Sequence, residues 1–161
     1  GAVAFVIKDK AVVCLGAASS SGSNFRRDVY TFDGTTWDDK EPLVDQDGRG
    51  FDNDYNQIPR AYAVAFVSSR DGGVLKGFVA TGNGSYPGSC WEYNIDTDRW
   101  DEVTELPAAM NSRVYAVGFT FNDYGYVTTG GSKMNAPIDV DTWKFTPGID
   151  EDDDNDYAPR E

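Results

Sequence analysis

Two arginine–tyrosine pairs have the most specific potential chemistry in this chain. Arg60 is followed two residues later by Tyr62, and Arg113 is followed at the same spacing by Tyr115. A guanidinium presents a planar fork of donors, which binds a carboxylate or a sugar acid through two parallel hydrogen bonds. A tyrosine ring adds a flat face for stacking. The pairs predict a ligand site; the alternative is a structural role, in which each arginine forms a salt bridge to a neighbouring repeat.

Each pair stands directly before a short apolar run, and that run occurs three times. Its last residue is Phe5, then Phe66, then Phe119, so the copies are 61 and 53 residues apart. Each copy continues with a second run that ends at glycine and a third run that contains aromatic residues. A period near 50 residues, built of short apolar runs, is typical of the blades of a propeller.

The composition of the runs predicts strands. They are rich in Val, Phe, Tyr, Trp and Thr and are separated by Gly, Asn, Asp and Ser, which favour turns. The first run of each copy is apolar at nearly every position, which predicts a strand packed on both faces. The third run alternates, as at Trp91-Glu92-Tyr93-Asn94, and predicts a strand with one face in water. No stretch has a sustained helical period, so we expect almost no helix.

At these residues the chain resembles the kelch-repeat family, in the form also found in the central domain of galactose oxidase. The family pattern is an Arg before A-V-x-F, a run ending in T-G or G-G, an aromatic strand and a closing Trp. It is matched best between Arg60 and Trp100. The first copy has Leu15-Gly16 in place of the double glycine, and no Trp follows Phe145 in the third.

The resemblance covers roughly residues 1–147 and implies an all-β fold of three four-stranded antiparallel blades. Their boundaries are expected near 1–59, 60–112 and 113–147, with the last blade lacking its outer strand. Because propellers close with four to eight blades, we expect the C-terminal half of a six-bladed ring. Such a half would pair with its missing N-terminal half or with a second copy of itself. Residues 148–161 are expected to form a disordered acidic tail.

Composition excludes several classes of function. The chain has no histidine, so it cannot build an imidazole copper site, the usual zinc sites or a Ser-His-Asp triad. Glycosidase chemistry by a pair of carboxylates remains open, because 27 acidic residues are present. The net charge of −13 argues against nucleic acid as a partner. No apolar run is long enough to span a membrane, and we expect no cofactor and no metal.

Two smaller motifs have two interpretations each. The segment from Thr31 to Trp37 is similar to the Asp box of sialidases but lacks one residue, and a turn between two strands explains it as well. Cys14 and Cys90 lie at different positions of their repeats, which favours two buried free thiols over a disulfide.

The long connections are expected to gather at one end of the strands, where ligands usually bind on rigid scaffolds. One of them carries an insertion, from Asp45 to Tyr55, that we expect to be removable without loss of folding. In a propeller, Arg60 and Arg113 would stand at the rim of the central channel. Five weaker candidates for ligand contacts lie near the same rim: Asn83, Tyr86, Arg26, Arg27 and Asn111.

The sequence is compatible with two functions. The first is a non-catalytic binding module that recognises a glycan or a protein through the long loops. The second is a sugar-active enzyme, since some kelch propellers resemble mutarotases that act on sialic acid. The repeats also resemble kelch proteins from the cell envelopes of gut Bacteroidetes, which implies a periplasmic or cell-surface location.

Overall fold

The computed structural model of the chain describes residues 1–19, 24–46, 53–132 and 140–148. The protein is all-β, as predicted. In this part of the chain there is no α-helix, and the one helical element is a 3-10 turn at Tyr55–Gln57. The strands are β1 (Val3–Ile7), β2 (Lys10–Cys14), β3 (Val29–Phe32), β4 (Trp37–Asp39), β5 (Arg60–Ala61), β6 (Val64–Ser68), β7 (Lys76–Ala80), β8 (Asn83–Gly84), β9 (Ser89–Asn94), β10 (Arg99–Glu105), β11 (Val117–Phe121), β12 (Tyr124–Thr128) and β13 (Thr142–Phe145).

The strands form three larger antiparallel sheets and one small pair. The first sheet has the order β1-β2-β3-β4, the second β6-β7-β9-β10 and the third β11-β12-β13, while β5 pairs with β8. Strands that follow one another along the chain are neighbours in each larger sheet. The predicted acidic tail lies outside the described residues, apart from Gly148.

This order separates the connections into two groups. Tight turns join β1 to β2, β3 to β4, β9 to β10 and β11 to β12 at one end of the sheets. The connections from β2 to β3, β7 to β9, β12 to β13 and from each sheet to the next all leave from the opposite end, because neighbouring strands are antiparallel. We call this second end the long-loop face.

The first sheet packs on the second, and the second on the third, through the same kind of contact. Phe5 of β1 lies against Gly77 of β7, and Phe66 of β6 lies against Gly125 of β12. Both phenylalanines are buried, and each belongs to a cluster of buried apolar residues shared by two sheets. A glycine in each facing strand gives the ring room to approach the backbone.

Burial of the strands differs from the sequence prediction in two places. The prediction that one face of β9 lies in water is wrong, because Glu92 is buried and pairs with Lys76. The carboxyl pKa of Glu92 is raised, chiefly by burial. Packing on both faces holds for β6, whereas β1 alternates and β11 is largely exposed. Strands β1 and β11 belong to the first and third sheets. Each of these sheets packs against one other described sheet, so one of its faces stays exposed.

The insertion between the first two sheets is anchored in the core. Residues 47–52 lie outside the described residues, and the segment on either side is closed by hydrogen bonds between Gln46 and Asn53. Tyr55 is fully buried, packs edge-on against Trp91 and accepts the backbone N–H of Trp100 at 2.8 Å. The expectation that the whole segment is removable is therefore wrong for Tyr55.

Both smaller motifs of the sequence have simple structures. The carboxylate of Asp33 accepts the backbone N–H groups of Thr35 and Thr36, each at 2.8 Å, which confirms the turn between β3 and β4. Cys14 and Cys90 are buried free thiols, and burial raises the pKa of each to about 12. None of the described residues forms a helix that is long and apolar enough to cross a membrane.

Candidate functional site

Arg60 lies beneath the long-loop face and is fully buried. Its Nε donates to the carbonyl of Ile58 at 3.0 Å, and Nη1 donates to the carbonyl of Ser89 at 2.8 Å. Nη2 donates to the carbonyls of Gln57 and Tyr86, each at 3.1 Å. Burial lowers the guanidinium pKa to about 10, so the group remains charged at neutral pH. Its hydrogen bonds hold two loops together, which is a structural role. The acceptors are backbone carbonyls of the same repeat and of the connection before it, and not the salt-bridge partner in a neighbouring repeat that was expected.

Arg113 occupies the same position before the third sheet and is also buried. Its Nη1 donates to Asp141 Oδ1 at 2.7 Å and its Nη2 donates to Asp141 Oδ2 at 3.2 Å. Hydrogen bonds from Arg113 and then from Trp143 lower the pKa of Asp141. The two-point carboxylate recognition predicted for a ligand is thus made to a carboxylate of the protein itself.

The tyrosines of the two pairs meet each other. The ring centroids of Tyr62 and Tyr115 lie 4.6 Å apart at an interplanar angle of 41°. Tyr62 is half-buried and Tyr115 is 44% exposed. Desolvation and a hydrogen bond to Tyr62 raise the pKa of the Tyr115 phenol. Because each tyrosine stands just before the first strand of its sheet, the ring pair forms part of the long-loop face.

A repeated backbone geometry places these tyrosines. Tyr62 and Tyr115 both have left-handed backbones, with φ of 60° and 57°. Positive φ is uncommon for a bulky residue and indicates a conformation imposed by the surrounding structure. The two repeats therefore turn the chain in the same way as it enters β6 and β11.

The residues whose carbonyls receive the arginines were not predicted from the sequence. Thr81 and Thr129 follow the second strand of their sheets with φ of 61° and 62°. Their carbonyls accept from Arg60 Nη1 at 3.4 Å and from Arg113 Nη1 at 3.0 Å. The signal was the threonine before glycine in both repeats, which marks a left-handed turn that presents a carbonyl.

Three of the weaker candidates share the long-loop face with the tyrosine pair. Asn83 is exposed in β8, paired with Ala61 next to Tyr62. Tyr86 is 55% exposed, and Asn111 is exposed with its side-chain amide beside Gly88. Together these side chains offer an aromatic ring and two amides near the loops that Arg60 and Arg113 fix in place.

The other two candidates belong to the first sheet and its connections. Arg27 donates to the carbonyl of Leu43 at 2.7 Å and to the side chain of Asn56. Arg26 is well exposed and lies 3.8 Å from Asp28. Arg27 therefore secures the connection between the first two sheets, while Arg26 lies at a shallow pocket that also includes Val13 and Tyr30.

A second pocket lies between the second and third sheets. It has a volume of about 100 Å³ and an apolar lining apart from Lys144. Ligand sites combine an apolar lining with a few convergent polar groups. At about 100 Å³ this pocket is smaller than the roughly 300 Å³ at which ligand pockets usually begin. The tyrosine pair, with the exposed amides on the same face, is therefore the candidate site.

Comparison with known proteins supports the fold. No protein-family model matches the chain, and no curated protein matches it. A solved structure titled "Structure of YjhT" has a TM-score of 0.61 to this chain at 18% sequence identity. The two share a fold. The match covers 88% of this chain and 41% of the other, so this chain spans less than half the length of that neighbour. The likeness and the antiparallel sheets fit a kelch-type β-propeller fold.

Proposed function

We propose that this protein is a non-catalytic binding module that recognises a glycan at its long-loop face. The Tyr62–Tyr115 ring pair is the observation on which this rests. Aromatic rings present apolar faces against which the C–H faces of a sugar ring can stack, and the phenolic hydroxyls can exchange hydrogen bonds with sugar hydroxyls. Asn83, Tyr86 and Asn111, which are exposed on the same long-loop face, supply further polar contacts.

The two arginines have a supporting role in this proposal. Arg60 and Arg113 hold the loops that carry Tyr86 and Asp141, respectively, through charge-assisted hydrogen bonds from buried guanidinium groups. Such bonds are stronger than neutral ones and fix geometry. The arginines thus position the face without touching the ligand, and the ligand does not need to carry an acid group.

The architecture proposed for this module is a propeller in which the three sheets are consecutive blades. The support is the repeated contact of Phe5 with Gly77 and of Phe66 with Gly125, which relates each sheet to the next in the same way. The third sheet has three strands in the described part of the chain, as expected for the copy without a fourth run.

A glycan array is the first test. We expect the wild-type chain to bind a defined subset of glycans, and the double variant Y62A/Y115A to lose that binding while keeping its melting temperature. Tyr124→Ala is the matched control, because Tyr124 lies at the opposite end of the third sheet, after the β11–β12 turn. No bound glycan, or equal binding by all three proteins, would rule out the proposed site.

The same samples separate the binding module from the enzyme. Nuclear magnetic resonance can follow the exchange of free sialic acid anomers in the presence of the protein. A binding module leaves the exchange rate at its uncatalysed value. Acceleration that depends on protein concentration would instead support the sugar-active enzyme.

A further inference from the structure

Two faces of the described sheets are uncovered, and each resembles one side of the contact that joins successive sheets. We call the faces that carry Phe5, Phe66 and Phe119 the phenylalanine faces. The opposite faces, which carry Ala11, Gly77 and Gly125, are the small-residue faces. The phenylalanine face of the first sheet covers the second sheet, and that of the second covers the third. The small-residue face of the first sheet and the phenylalanine face of the third have no such partner among the described sheets.

The small-residue face of the first sheet repeats that of the second. In each of the two sheets, strand pairing aligns one row of four side chains across the four strands. The row in the first sheet is Val6, Ala11, Phe32 and Trp37. The matching row in the second sheet is Val67, Gly77, Tyr93 and Trp100. Each row ends in an aromatic pair with centroids 4.8 Å apart. Trp100 is fully buried, whereas Trp37 is 58% exposed. The first sheet thus carries an apolar row of the covered type without its cover.

The phenylalanine face of the third sheet repeats that of the second. Phe119 stacks on Tyr126 at 5.4 Å and 12°, as Phe66 stacks on Phe78 at 5.5 Å and 12°. Phe66 is buried under the third sheet, whereas Phe119 and its neighbour Phe121 are 43% and 60% exposed. Exposed apolar groups of this size on one face mark an interaction surface.

The β1–β2 turn of the first sheet resembles the β11–β12 turn, which contacts the second sheet. Asp123 accepts hydrogen bonds from the backbone N–H and the hydroxyl of Ser69, at 2.8 and 2.9 Å, where the second sheet meets the third. Asp9 stands in the same turn position of the first sheet, with φ of 64° against 63° for Asp123. Asn122 follows β11 as Ser69 follows β6. Asp9 is therefore placed to accept the N–H of an Asn122 that approaches from another sheet.

We propose that a second copy of this chain covers both faces. The third sheet of each copy packs on the first sheet of the other, with Phe119 over Ala11 and Asn122 beside Asp9. Two such contacts related by a twofold axis close the assembly. It would contain six sheets, within the usual range for propellers. This inference rests on the proposed propeller architecture and not on the glycan site.

Ala11 departs from the repeated contact, in which a glycine faces the phenylalanine ring. A Cβ on Gly77 would lie 2.1 Å from Cε2 of Phe5, and a Cβ on Gly125 would lie 2.4 Å from the ring of Phe66. Ala11 carries that Cβ, so the Phe119 ring of the second copy has to lie farther from the strand. Replacing Ala11 by glycine should therefore tighten the dimer, because overpacking at a close contact is unfavourable.

Sedimentation velocity across micromolar concentrations tests the proposal with the 161-residue chain. We expect the wild type to change from a 17.7 kDa monomer to a dimer as its concentration rises. Ala11→Gly should lower the dissociation constant by about tenfold for each contact. Val6→Asp and Phe119→Asp alter opposite faces at exposed positions, and each should remain monomeric. Val140→Asp, at a residue that is 91% exposed, is the matched control and should dimerise as the wild type does.

Mixing the two monomeric variants gives the sharpest result. In a closed dimer of Val6→Asp with Phe119→Asp, one contact contains both substitutions and the other contains neither. The mixture should therefore form a one-to-one complex that neither variant forms alone. Wild type and Ala11→Gly that stay monomeric throughout would overturn the proposal. So would a dimer that survives Phe119→Asp, or a mixture that does not reassociate although circular dichroism shows both variants folded.

Discussion

Phe5 lies so close to Gly77 that a Cβ on the glycine would stand 2.1 Å from Cε2 of the ring. We expect Gly77→Ala to lower the free energy of unfolding by about 1–3 kcal/mol, the usual cost of overpacking. Gly88→Ala is the control, because the nearest atom there is the side-chain nitrogen of Asn111 at 3.2 Å. Urea denaturation measures both variants. Equal stability of Gly77→Ala and wild type would contradict the close contact.

The Tyr55 hydroxyl gives a second stability test. In Tyr55→Phe, the buried backbone N–H of Trp100 loses its acceptor, and an unsatisfied buried donor costs about 1–3 kcal/mol. We expect a loss of that size in the free energy of unfolding. Tyr30→Phe, at an exposed tyrosine, should leave stability unchanged. If the two variants are equally stable, Tyr55 does not serve as an anchor for the insertion.

Substituting Arg60 tests whether this arginine supports the loops or contacts the ligand directly. Arg60→Ala leaves several buried carbonyls without their donor, so we expect it to destabilise the protein by about 3 kcal/mol or more. Arg26→Ala, at a well-exposed arginine, should change stability by about 0.5 kcal/mol or less. Chemical denaturation supplies both values. A stable Arg60→Ala protein that has lost glycan binding would instead show that Arg60 touches the ligand.

The Arg113–Asp141 pair predicts a dependence on pH. The arginine holds the pKa of Asp141 below its ordinary value of 3.8. A carboxylate with a lowered folded-state pKa stabilises the protein above its unfolded pKa, and that stabilisation is lost as the pH falls through the folded value. Wild type should therefore exceed Asp141→Asn in melting temperature near neutral pH, and the difference should shrink below about pH 4. A difference that stays constant down to about pH 2 would contradict this.

Much of the fold was predictable because its signals are local. The strand runs, the glycine-rich turns and the recurrence of Phe5, Phe66 and Phe119 all follow from side-chain type and spacing. The burial of Glu92 was not predictable in this way. Alternation shows which side of a strand is polar, but it does not show that Lys76 of the adjacent strand covers the carboxylate. Tyr55 was missed for a similar reason, since a loop residue contributes to the core only through the strands that it reaches.

The sequence predicted where the candidate site lies better than it predicted the role of each residue there. The repeated spacing of Arg60–Tyr62 and Arg113–Tyr115 identified the right segment, because equivalent positions of repeats occupy equivalent places. It did not show which member of each pair faces outward. The left-handed turns and the receiving carbonyls of Thr81 and Thr129 direct the guanidinium groups inward, and these depend on backbone geometry that residue types alone do not specify.

The most direct test of the proposed function is the affinity of one glycan, identified on the array, for three proteins in solution. Isothermal titration calorimetry would compare the wild type, Y62A/Y115A and the control Tyr124→Ala. We expect the double variant to bind at least about tenfold more weakly, as loss of a central aromatic contact typically costs more than 1 kcal/mol. Tyr124→Ala should match the wild type. Undiminished binding by a folded Y62A/Y115A protein would contradict the central claim.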